Sequence, residues 1–177
     1  MPYPDDLIAQ ARSLAAADPT RPRQASLRRA VSAAYYALFH ETIERATAAV
    51  LSNADAVGPI GDRLRRIVDH RAALRAAKWF VAAPAAIPAS IQGMRSPGPQ
   101  HPIPPALQRV CARLVALQAE RHRADYDLSE PFSRAETMRL ITDAESAISD
   151  LRNLPARGDT LILFLGCILG DGLTRNA

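Results

Sequence analysis

The stretch Arg28-Arg29-Ala30-Val31-Ser32-Ala33-Ala34-Tyr35-Tyr36-Ala37-Leu38-Phe39-His40 decides how the chain is read. It lies inside one predicted helix that begins near Arg23 to Ser26 and continues to about Leu51. At 3.6 residues per turn, Leu27, Val31, Ala34, Tyr35, Leu38, Phe39, Thr42, Ile43 and Ala46 share one broad apolar face, as a core-facing helix requires. A second stripe differs in kind. Arg29, Ser32, Ala33, Tyr36 and His40 bring a cation, a hydroxyl, a phenol and an imidazole onto one edge. That edge is where binding or chemistry would sit. The competing account is a core boundary whose polar tips are hydrogen-bonded.

Outward from this helix, the chain of 177 residues is long enough for one well-buried domain, and 1–177 is expected to form a single one. A hydrophobic fraction of 48% supports a core, but aromatics are sparse and alanine is abundant. Alanine suits closely packed helices better than a sandwich of β-branched strands. The expected class is therefore all-α, an up-and-down bundle of about five to six helices. The formal charge of +4 is a mild excess, nearly all of it arginine, with Lys78 the only lysine. Arginine offers paired donors to phosphate wherever it clusters. Cys111 and Cys167 stand far apart and outside any CxxC or Cys/His pattern, so neither a zinc site nor a disulfide framework is expected, and no cofactor is implied. The start lacks a signal-peptide pattern, and the apolar run from Leu161 to Gly170 is too short to span a bilayer. A cytoplasmic location and no membrane contact are expected.

Before the central helix, Leu7, Ile8, Ala11, Leu14 and Ala15 predict a first helix over about 5–17, with Asp5 and Asp6 in its favourable first turn. Prolines at 19 and 22 separate the two. After it, Leu64, Ile67, Val68, Ala72, Leu74 and Phe80 predict a third helix over about 60–81, opposite Arg63, Arg66, Arg71 and Arg75. That basic face reads as a solvated surface or as an RNA contact. A proline-rich connection follows over about 82–105. A fourth helix begins at the Pro104–Pro105 pair and runs to about Leu128 on Leu107, Val110, Leu114 and Leu117. Ser133 and Glu136 form a capping box for a fifth, and Asp159 or Thr160 caps a short apolar sixth.

The last turns of the fourth helix carry Glu120-Arg121-His122-Arg123-Ala124-Asp125-Tyr126-Asp127-Leu128. Arg121 and Asp125 are four apart, as are His122 and Tyr126, so two polar pairs lie side by side. Together with the tyrosine pair ahead of Phe39 and His40, and with His70 in the third helix, this order resembles the HEPN superfamily, and within it the small bacterial UPF0332-like branch. The resemblance covers most of 25–154. It implies a helical bundle acting as a homodimer, metal-independent, and interacting with RNA or a nucleotide. It further implies an endoribonuclease of toxin or defence type, or a non-catalytic binding module that partners an antitoxin or a nucleotidyltransferase. Carried onto this chain, it assigns Arg121, His40 and Asp125 as catalytic, and Tyr36, His70 and Tyr126 as substrate-binding; the polar stripe of the central helix adds Arg29 to the substrate-binding residues. RNA carries its own nucleophile, so a proton acceptor, an acid and a cation suffice for cleavage without metal. The chain departs from the family's signature, an arginine followed after four to six residues by histidine. Here three residues separate Arg121 from Asp125, and an aspartate is a poor acid at neutral pH. Arg65 with His70, and Arg95 with His101, match that spacing numerically, as chance allows in an arginine-rich chain. A polar network tying the second helix to the fourth, with Arg121 neutralised by Asp125, is the alternative to a site.

Overall fold

The computed structural model describes residues 3–18, 20–51, 58–81, 103–155, 161–162, 164 and 166–168. Among the described residues, six continuous helices are α1 (Tyr3–Ala16), α2 (Gln24–Val50), α3 (Pro59–Ile67), α4 (His70–Val81), α5 (Pro105–Tyr126) and α6 (Arg134–Asn153). The described residues between 161 and 168 are helical as well, and no strand occurs among the described residues. The protein is all-α. Most of the proline-rich connection, the caps expected at Asp159 or Thr160 and the C-terminal tail lie outside the described residues.

The predicted third helix requires correction: it is two helices, and Val68 and Asp69 stand between them. Val68 is extended, with φ −72 and ψ 112. Asp69 then restarts the chain, because its carboxylate accepts from the Ala72 N–H at 2.7 Å while its carbonyl accepts from Ala73 at 3.2 Å. A short aspartate that satisfies an orphan N–H competes with helix continuation, and here it wins. The capping box does form. Glu136 N–H donates to Ser133 Oγ at 3.1 Å, and Ser133 N–H approaches the Glu136 carboxylate at 3.5 Å.

The chain divides into two compact units, each discontinuous in sequence: Met1–Glu41 with Arg113–Ser149, and Thr42–Ala112 with Asp150–Ala177. In the first, the core is built by Ile8, Ala11 and Ala15 of α1; Leu27, Val31, Ala34, Tyr35 and Leu38 of α2; Leu114 and Leu117 of α5; and Leu140, Ile141, Ala144 and Ile148 of α6. The apolar face read on α2 is therefore the buried one. Burying each large side chain stabilises by about 1.5–3 kcal/mol, which outweighs the modest intrinsic helix preference of Val, Tyr and Phe. In the second unit, Ala72, Ala73, Ala76 and Ala77 make a small-residue face on α4, and Phe80 meets Phe164 edge to face at 5.2 Å. Cys111 and Cys167 are buried there and not joined in a disulfide, and burial pushes the Cys111 thiol well above its ordinary value.

Candidate functional site

The first unit contains a cleft of about 540 Å³ lined by Tyr3, Leu7, Gln10 and Leu14 of α1 and by Arg29, Ser32, Ala33, Tyr36 and His40 of α2. The α2 contribution is the polar stripe read from the sequence, complete. The α1 wall follows a spacing of four, three and four residues, one face of that helix. Leu7 and Leu14 belong to this wall and are half-buried, whereas Ile8, Ala11 and Ala15 turn into the core. The first helix starts at Tyr3, earlier than expected, and this brings the Tyr3 ring edge-on to His40 at 4.9 Å. The wall is held by Arg12, whose Nε donates to Glu145 Oε1 at 2.6 Å. It is also held by Arg134, which donates to the carbonyls of Ala15, Ala17 and Asp18 at 3.0, 3.2 and 2.7 Å. Asp18, with φ 52, takes the left-handed conformation that commonly ends a helix, and Arg134 satisfies its carbonyl.

Alongside the cleft, α2 and α5 are joined by a polar network. Asp125 accepts from Ser32 Oγ at 2.7 Å and pairs with Arg121 Nε at 2.7 Å. Arg121 in turn donates from Nη2 to the Tyr36 hydroxyl at 3.2 Å, and its guanidinium lies over the Tyr36 and Tyr126 rings at 5.6 and 5.9 Å. Arg121 and Asp125 are each about one-fifth exposed, so the pair is shielded on most sides. Beneath it Tyr35 is buried, and desolvation raises its phenol well above the ordinary value.

The end of α5 is fixed by a residue whose role the sequence did not disclose. Arg28 is buried, and its guanidinium donates to the carbonyls of Arg123 (3.2 Å), Ala124 (3.0 Å), Asp127 (2.6 Å) and Glu130 (2.7 Å). These include the carbonyls a helix leaves unsatisfied at its C-terminus, where a cation also suits the helix dipole. Gln24 clamps the next loop, donating to the Phe132 carbonyl at 2.8 Å and accepting from its N–H at 2.9 Å. Arg123 covers the Phe132 ring at 4.0 Å while pairing with Glu120, Glu130 and Glu136. In the same loop the Asp127 carboxylate is held below the ordinary range by the Ser129 hydroxyl and N–H.

Of the residues assigned from the sequence, Arg29, Tyr36, His40, Arg121, Asp125 and Tyr126 all belong to the first unit, and five of them join the cleft or its adjoining network directly. Tyr126 is 67% exposed, flanked by Arg121 and by the His122 ring at 4.9 Å. His70 instead opens α4 in the second unit. The residues sequence reasoning passed over are Tyr3 and Gln10 on the α1 wall and Arg28 at the end of α5. The spacing of 3, 7, 10 and 14 was legible, but Leu7 and Leu14 read equally well as core. Comparison with family models, with curated proteins and with solved structures finds no match to this chain.

Proposed function

We propose that this chain is a HEPN-like helical protein whose cleft binds RNA or a nucleotide, and that it acts as a binding module ahead of a nuclease. The observation that carries this reading is the division of labour among its arginines. Arg121, the cation assigned to catalysis, is paired with Asp125, and Asp125 also accepts from Ser32. A carboxylate whose oxygens already accept from a guanidinium and a hydroxyl has less room for an incoming 2′-hydroxyl, and the same pairing offsets the charge that a cleaved phosphate would need. Arg29, by contrast, is exposed on the cleft wall and makes neither hydrogen bond nor ion pair among the described residues. A free guanidinium in one cleft with aromatic rings is a combination that can hold a phosphate and stack a base.

The test is retention and cleavage of labelled single-stranded RNA by purified protein in EDTA. Binding that weakens with salt and with Arg29→Gln, without cleavage, is expected. Cleavage abolished by Arg121→Ala would move the assignment to a metal-independent endoribonuclease. Failure to retain RNA or any nucleotide would remove the binding reading.

A further inference from the structure

We infer that the cleft is polar along its length and takes an extended ligand in one direction, with an aromatic base at the Tyr3–His40 end and a phosphate at the Arg29 end. This rests on the reading of the cleft as a nucleotide or RNA site. Only seven residues separate the end of α1 from the start of α2, so α1 runs back along α2. The contact of Tyr3 with His40 fixes the register of the two walls at one end. Leu14 then faces the Arg29 end, with Leu7, Gln10, Ala33 and Tyr36 between.

The two ends differ in chemistry. At one stand two rings at 72° to each other, Tyr3 58% exposed, an open aromatic edge on which a base can stack. At the other stands Arg29. Among the described arginines of this unit, only Arg21 and Arg29 lack a hydrogen bond or ion pair, and Arg29 is the one on the cleft. Arg12, Arg23, Arg28, Arg113, Arg121, Arg123, Arg134 and Arg139 are all engaged by carboxylates or carbonyls. An anion entering this cleft therefore meets a cation that it need not take from another partner.

Length narrows the ligand further. Arg29 and His40 are eleven residues apart on one helix, about 16 Å along its axis. That exceeds a nucleoside monophosphate and suits a base carried at the end of a phosphate chain or of a second nucleotide. Gln10, midway, offers an amide donor and acceptor to the connecting sugar or to a base edge.

Calorimetric titration of the whole chain tests this with adenosine, AMP, ATP, the dinucleotide pApA and inorganic tripolyphosphate. ATP or pApA is expected to bind at least tenfold more tightly than AMP, and which of the two binds distinguishes a phosphate chain from a second nucleotide. Arg29→Gln should cost about tenfold for ATP, pApA and tripolyphosphate, which reach the Arg29 end, and leave adenosine and AMP unchanged. Tyr3→Ala should cost about fivefold or more for every base-bearing ligand and leave tripolyphosphate unchanged. Both positions are exposed, so melting curves of the variants should overlay that of the parent. Equal losses for all ligands in both variants, or AMP binding as tightly as ATP and pApA, would overturn the directional cleft while leaving nucleotide binding intact. No binding of any ligand, with RNA also unretained, would overturn both.

Discussion

Two adjacent arginines, Arg28 and Arg29, should respond in opposite ways to the same substitution. Arg28→Met keeps most of the side-chain bulk but removes a buried guanidinium that donates to four carbonyls at and beyond the end of α5. A hydrogen bond to a charged group contributes about 1.5–3 kcal/mol. The four share one cation and are not additive, and methionine recovers some apolar packing, so the net loss is about 3–4 kcal/mol. For a chain of this size each kcal/mol lowers the melting temperature by about 2–4 °C, giving a drop of about 6–16 °C. Arg29→Met removes an exposed group with no hydrogen bond or ion pair among the described residues, so its effect on stability should stay within about 0.5 kcal/mol. Circular dichroism at 222 nm during heating, with a urea titration to extract the free energy, reads both. Arg28→Lys should rescue little, because a single ammonium cannot reproduce the spread of a guanidinium. A melting temperature for Arg28→Met within 2 °C of the parent, or equal losses for the two methionine variants, would refute the assignment of Arg28 as the cap of α5.

Other outcomes follow from the same geometry. A double-mutant cycle on Arg121→Met and Asp125→Ala should give a coupling of about 1–2 kcal/mol in urea melts, since the pair is mostly shielded; additive losses would mean the ion pair contributes nothing. Asp69→Ala should cost about 1 kcal/mol by removing the cap of α4, and Asp69→Asn should recover most of it. Asp150 is held below the ordinary carboxylate range by hydrogen bonding to Arg109, so its contribution is present above that range and is lost as pH falls through its lowered value; Asp150→Asn should flatten the acid limb of a stability-against-pH curve. Cys111 and Tyr35 are raised by burial, so their contribution is intact below the ordinary thiol and phenol values and erodes as pH climbs past them; Cys111→Ala should displace the onset of alkaline unfolding to higher pH.

The all-α class and the limits of α2, α5 and α6 were legible because they rest on local physics: helical periodicity, a proline pair at the start of α5 and the Ser133–Glu136 capping box. So was the polar stripe of α2, since residues three, four and seven apart share a face in any packing. The break at Val68–Asp69 escaped for a local reason too. The apolar period runs through it without glycine or proline, and only the aspartate marks the stop.

What the tertiary structure alone decided is which of several equivalent residues meets a partner. Arg28 and Arg29 are identical in type and adjacent in sequence, yet a rotation of about 100° between neighbours sends one into the end of α5 and leaves the other on the cleft. Leu7 and Ile8 diverge in the same way, one to the cleft wall and one to the core. The Ser32–Asp125 bond joins residues 93 positions apart. Helical spacing shows that each residue occupies a face, but it carries no information about which other helix that face will meet; packing supplies that information.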